Sequence, residues 1–199
     1  TVYNNAHIWN LKTYVWNDMI VRVLRFLWYS VSVLMNITDI DDKTIAWSQE
    51  AWEDLKTFTQ KHTKVFLEDI EKLNIIKADK IAPISDVIPE MVRMINTLLR
   101  RDIAYISDDG SIYYNIKKFK KYWVLANLDM SWMKESVRID NDEYDKENAA
   151  DFALWKAYSK EDGDNFWEWD FEIEWGIKTV KWRPGWHIEC SACNMKYHW

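Results

Sequence analysis

The sequence predicts an α/β protein, a parallel sheet carrying helices and interrupted by an α+β insertion, and three observations predict it. First, apolar residues recur at helical spacing from Asn10 to Tyr29, at Leu11, Val15, Met19, Ile20, Val23, Leu24 and Leu27. Second, Val31 to Ile37 is a continuous apolar run rich in β-branched residues, as a buried parallel strand requires. Third, the period changes to two at Ala104. Tyr105 and Ile106, then Asp108-Asp109-Gly110, then Ile112, Tyr113 and Tyr114 read as a β-hairpin.

Taken in order, Thr1 to Tyr3 is a short β-prone run, so strand, helix and strand fill the first 37 residues as a right-handed βαβ unit. The polar cluster Thr38-Asp39-Ile40-Asp41-Asp42-Lys43 lies just past the carboxyl end of its second strand, where open α/β sheets hold ligands. Trp47 to Leu73 is a second helical pattern, and Ile84 to Arg100 is a third, entered through Pro83 and carrying Pro89 early in its course. Lys117 to Ala150 is charged, irregular and poor in strand pattern. The domain reading is therefore 1–88 for the first half of an α/β domain, 89–150 for an insertion, and 151–199 for the start of its second half.

Two windows carry candidate chemistry. In the first, a polar turn brings His7 and Asn10 to the start of the first helix. Unpaired backbone N–H groups and the helix dipole favour a phosphate there. Residues three apart share a face, so both side chains can donate to one anion; they can equally be a helix cap and a surface residue. In the second, Arg183 to Cys193 (R-P-G-W-H-I-E-C-S-A-C) places Cys190 and Cys193 as a C-x-x-C near His187 and His198. Four readings stay open for it: a self-contained zinc knuckle, a redox pair, two inert buried thiols, or a site in which Cys190 is one zinc ligand among others from elsewhere.

Composition narrows the function class. Residues that are 48% hydrophobic and 29% charged suit a soluble globular chain, and a net charge of −6 argues against non-specific nucleic-acid binding. The local run Lys117-Lys118-Phe119-Lys120-Lys121 reads as a solvated face. Val23 to Met35, the longest apolar stretch, is broken by Arg25 and too short to span a bilayer, so no membrane is expected. Two cysteines point to a reducing compartment. The chain lacks an initiator Met and starts inside a strand pattern, so its N-terminus is expected to be a cut end.

With both windows in view, the chain resembles the catalytic core of the cysteinyl-tRNA synthetases, a family of class I aminoacyl-tRNA synthetases. Thr1-Val2-Tyr3 with His7-Ile8-Trp9-Asn10 looks like the T-V-Y and H-I-G-[HN] signature. Asn36 to Lys43 (N-I-T-D-I-D-D-K), Asp151 to Lys156 (D-F-A-L-W-K) and Arg183 to Ala192 (R-P-G-W-H-I-E-C-S-A) match further family strings. The resemblance implies a Rossmann-like (HUP-type) parallel-sheet nucleotide-binding core with an α+β connective insertion. It implies a cytoplasmic, monomeric ligase that takes cysteine, ATP with Mg, and tRNA(Cys). By the same resemblance His7, Trp9 and Asn10 line the ATP site, with His7 and Asn10 catalytic, and Thr38 and Trp186 line the amino-acid pocket. Cys190 matches one ligand of the zinc that binds the substrate thiolate; Cys193 stands where the family has Met and is not assigned to zinc. The family's remaining zinc ligands, its Lys-Met-Ser-Lys-Ser loop and its anticodon-binding region correspond to positions before Thr1 or after Trp199, so the 199 residues alone are expected to be inactive. A cysteine ligase acting on an amino-sugar acceptor and a catalytically inactive paralogue acting as a binding module are the alternatives.

One feature departs from the family pattern. Trp9, Trp28, Trp52, Trp123 and Trp182 stand where the family has glycine, as do Trp132 and Trp199, whereas Trp155 and Trp186 stand where it has tryptophan. The chain holds only 4 Gly beside 14 Trp, against a usual glycine share of about 7%. Overpacking costs roughly 1 to 3 kcal/mol per site, a heavy load on a total stability of roughly 5 to 15 kcal/mol. Two readings follow: a codon decoded as glycine, such as UGA, has been written as tryptophan, or the chain is a divergent paralogue with a filled nucleotide site.

Overall fold

A computed structural model describes residues 1–119, 121, 122, 124, 151–173, 176–185 and 187–198. Expectations for most of Lys117 to Ala150, and for Trp123, Trp132, Trp186 and Trp199, lie outside the described residues. The chain divides into two compact units, Thr1–Val87 with Cys193–Trp199, and Ile88–Ala192.

The first unit is built on two short parallel strands, β1 (Leu34–Ile37) and β2 (Lys80–Pro83), paired from Leu34 with Lys80 to Ile37 with Pro83. Helix α1 (Ile8–Phe26) precedes β1, and α2 (Asp42–Glu50) and α3 (Leu55–Lys72) form the crossover to β2. Val2, Ile37, Phe66 and Ile70 are buried together, and Leu11, Tyr14 and Ile81 pack against them half-buried. The expected first strand is not formed. Val2 donates one backbone hydrogen bond to the Thr38 carbonyl at 3.2 Å, past the end of β1. An extended segment with a single bond has no ladder, although it still delivers the Val2 side chain to the core.

Two further expectations change. The single helix read over Trp47 to Leu73 is two, because α2 ends at Glu50 and Asp54 starts α3 afresh by accepting the Thr57 N–H at 3.0 Å. Helix α1 has the expected length, but no residue of it is fully buried, and Trp16, Met19, Ile20, Val23 and Phe26 are exposed. Among the described residues no helix is long and apolar enough to cross a membrane.

The second unit begins with α4 (Ile88–Arg100), which buries Ile88, Met91, Val92 and Ile95 along one stripe. Pro89 sits in its first turn, where a missing N–H costs nothing. The expected hairpin is present as β3 (Ala104–Ile106) and β4 (Ile112–Tyr114), paired antiparallel. Gly110 takes the positive φ of 93° that its loop requires, and the Asp109 carboxylate accepts from Ser107 and Ser111. β5 (Phe152–Ala157), β6 (Trp167–Ile173) and β7 (Gly176–Pro184) extend the hairpin into a five-stranded sheet ordered β3-β4-β5-β7-β6. Residues 151 to 156, read from the sequence as the return into the α/β domain, thus pair with the hairpin through β4. Trp155 is wholly buried and meets Phe171 edge-on, with ring centroids 5.6 Å apart.

Each unit holds a polar contact with a measurable consequence. In the first, Asp18 accepts from Arg22 at 2.6 Å and from the Ile76 N–H at 2.9 Å, tying α1 to the segment after α3. Burial alone would raise the Asp18 carboxyl, but the Arg22 hydrogen bond, the Ile76 N–H and the Arg22 charge together hold it below its ordinary 3.8. Its folded value lies below its unfolded one, so its stabilisation is full above the unfolded value and is lost as pH falls through the folded one. The urea midpoint should therefore drop between pH about 4 and about 2, and Asp18→Asn should flatten that drop. In the second unit Asp162 and Arg183 form a buried pair at 2.8 Å. Arg183→Met should cost about 3–5 kcal/mol by leaving the buried Asp162 carboxylate with the Ser159 donors but no counter-charge, and Asp162→Asn on top of it should restore part of the loss in the same denaturation assay.

Candidate functional site

The start of α1 is organised by His7 and Asn10 themselves. His7 is the N-cap, in extended conformation (φ −79°, ψ 155°). Its Nδ1 accepts the Trp9 N–H at 3.4 Å, and the Asn10 Oδ1 accepts the His7 N–H at 3.1 Å. A ring whose Nδ1 accepts carries its proton, when neutral, on Nε2. The cap therefore fixes which nitrogen is the donor, and it holds the Asn10 carbonyl inward so that its NH₂ group is the end left to donate. No acidic residue occupies the first turn, so nothing in it offsets the positive end of the helix dipole. The cap and the phosphate readings of His7 and Asn10 are thus compatible: the reciprocal cap uses an acceptor of each side chain and leaves the Nε2–H and the NH₂ outside it. Trp9 is exposed beside them, with the Lys12 Nζ 5.3 Å from its ring centre.

Thr38 belongs to the same unit and lies at the carboxyl end of β1, where its carbonyl receives Val2. Asp41 caps α2 by accepting the Thr44 N–H at 2.8 Å, while Thr44 Oγ1 accepts the Asp41 N–H at 2.8 Å. Lys43 lies over the Tyr3 ring at 5.3 Å, and Tyr3 meets Trp47 at 5.7 Å. The segment that leads into α1 is thereby joined, through Val2 and Tyr3, to the polar cluster that follows β1.

Sequence reasoning missed Ser85. Its N–H and Oγ both donate to the Asp39 carboxylate, at 3.1 and 2.6 Å, which clamps the turn after β2 to the turn after β1. The available signal was a serine two residues past Pro83, at the carboxyl end of the second parallel strand.

In the second unit Cys190 stands in the first turn of α5 (Ile188–Tyr197), after His187. Burial, and then the neighbouring Glu189 carboxylate, push the Cys190 thiol up. Neither cysteine is in a disulfide. Among the described residues no three of His, Cys, Asp and Glu gather to hold a metal ion. A single thiol does not make a zinc site, so no chemical step is assigned to zinc here. Trp186 falls outside the described residues.

The Asp39 clamp is testable apart from any catalysis. Asp39→Ala should speed hydrogen exchange at the Ser85 amide and lower stability by about 0.5–1.5 kcal/mol, the net worth of a typical hydrogen bond.

Residues 1–198 match the family model described as the tRNA synthetases class I (C) catalytic domain. The cysteine-tRNA ligase of Chlamydia muridarum is 45% identical over 196 residues, 98% of this chain and 40% of that protein. The cysteine-tRNA ligases of Chlamydia pneumoniae and Brachyspira hyodysenteriae are 46% and 47% identical, over 98% and 99% of this chain and 40% of each relative. The chain thus spans about 40% of the length of these relatives. With its parallel strand pair, crossover helices and capped first helix in place, the chain belongs to the class I synthetase (C) catalytic-domain family.

Proposed function

We propose that the protein carrying this domain activates cysteine with ATP and transfers it to tRNA(Cys). The observation that carries the reading is the reciprocal His7–Asn10 cap. It presents two oriented donors and an uncompensated helix N-terminus in the same unit as the carboxyl end of β1. Attack of a cysteine carboxylate on the α-phosphate of ATP builds negative charge on phosphate oxygens and on departing pyrophosphate. Prearranged donors lower that barrier because they need no reorganisation as the charge develops. In this reading the Nε2–H of His7 and the NH₂ of Asn10 meet the phosphates, Trp9 borders the nucleotide, and Mg accompanies ATP as substrate.

Thr38 and Trp186 are assigned to the amino-acid pocket, and Cys190 to one thiolate position of a zinc site whose other ligands come from outside these 199 residues. Zinc would favour a soft thiol over a hydroxyl, which is the distinction between cysteine and serine. Residues 1–88 are taken as the first half of the nucleotide-binding domain, a reading supported by the compact unit that ends at Val87. The exposed apolar face of α1 suits coverage by a further part of the same domain, since a continuous patch of this kind is unusual on a free surface.

Cysteine-dependent exchange of pyrophosphate into ATP by the full-length protein tests the proposal. His7→Ala and Asn10→Ala should each lower the exchange rate about 10²–10³-fold, the loss expected for one donor to developing charge. Folding should be preserved in Asn10→Asp, which keeps the accepting oxygen of the cap while removing the NH₂ donor. No exchange by the full-length protein, or exchange unaffected by these variants, would overturn the reading.

A further inference from the structure

Four helices of the chain end in one hydrogen-bonding pattern. After α1, Trp28 donates to Arg25 and Tyr29 to Leu24; after α2, Trp52 donates to Gln49 and Glu53 to Ser48. After α3, Asn74 donates to Glu71 and Ile75 to Ile70; after α4, Asp102 donates to Leu99 and Ile103 to Leu98. These are Schellman ends, which require a left-handed residue just past the cap. The residues there are Trp28 (φ 64°), Trp52 (φ 56°), Asn74 (φ 56°) and Asp102 (φ 57°).

Glycine takes this conformation without a steric clash, and asparagine and aspartate are the side chains that tolerate it best. Two positions of the four obey that rule and two hold tryptophan. Nothing compensates the strain, because Trp28 and Trp52 are 95% and 96% exposed. An indole that touches only water contributes no packing in return for its backbone. Trp155 is the opposite case, fully buried in a strand against Phe171. The glycines that are present stand only where a side chain is strained or excluded: Gly110, Gly163 and Gly176 have positive φ, and a Cβ on Gly185 would sit 2.2 Å from the Ala153 carbonyl oxygen. A chain that spends its 4 glycines so strictly has two empty glycine positions and 14 tryptophans.

We propose that positions 28 and 52 are glycine in the protein made by its own ribosomes, each encoded by UGA decoded as glycine, while Trp155 is encoded by UGG. UGA and UGG are the codons that genetic codes assign to tryptophan, so reading UGA as tryptophan would convert such glycines and leave Trp155 untouched. The substitution would place tryptophan without regard to burial or backbone, as seen at these two helix ends. The inference does not rest on the proposed activity and stands or falls apart from it.

The codons at 28, 52 and 155 and peptide mass spectrometry of the protein from its source cells test it together. The expected result is UGA at 28 and 52, UGG at 155, and glycine masses at the first two positions. UGG at 28 and 52, or tryptophan masses there, would overturn it. Independently, Trp28→Gly and Trp52→Gly introduced into the full-length protein bearing tryptophan should each raise Tm by about 2–4 °C, whereas Trp155→Gly should lower it. A fall in Tm at 28 and 52 would likewise overturn it, since it would show that the indoles stabilise the native fold.

Discussion

Helix ends leave backbone N–H and C=O groups with no partner inside the helix, and the first unit is arranged around how those groups are satisfied. At the starts of α1, α2 and α3 the answer is a side chain, from His7 with Asn10, Asp41 with Thr44, and Asp54. At their far ends it is a left-handed residue that turns the chain back onto its own carbonyls. Because the same groups that need satisfying at a helix start also attract anions, the stability device at α1 and the candidate catalytic device are one structure. The cap spends Nδ1 of His7 and Oδ1 of Asn10, and those are the atoms a phosphate could not use.

The sheet places this helix start. Val2 and Ile37 share a core with Phe66 and Ile70, and Leu11 and Tyr14 of α1 lean on it, so the first turn of α1 is fixed relative to the carboxyl end of β1. Asp39 and Ser85 then join the turns that follow the two parallel strands. The second unit solves a different problem with different means. Its sheet is antiparallel, with Trp155 and Phe171 among its buried side chains, and its one deeply buried charge pair among the described residues, Asp162 with Arg183, joins the turn after β5 to β7.

Local features were legible in the sequence where local chemistry decides them. The helical spacing from Leu11 to Leu27, the Asp109-Gly110 turn and the polar start at His7 and Asn10 each rest on residues within a few positions of one another. Pairings across long separations were not legible: β5 joins β4 rather than the parallel pair, and Ser85 reaches Asp39, because register and clamping depend on tertiary contact. The break between α2 and α3 was hidden for a separate reason. A glycine at position 52 would have marked it, and tryptophan reads instead as an apolar residue in helical phase. The family strings carried the site assignment of Cys190, to which spacing alone left four readings.

The anchoring of Val2 has a mechanical side. Its N–H is bound to Thr38 and its side chain is buried, so the chain enters the fold beside the carboxyl edge of β1. Truncating the Val2 side chain would therefore loosen the backbone that leads into α1 at the very place where it lies against the turn holding Thr38.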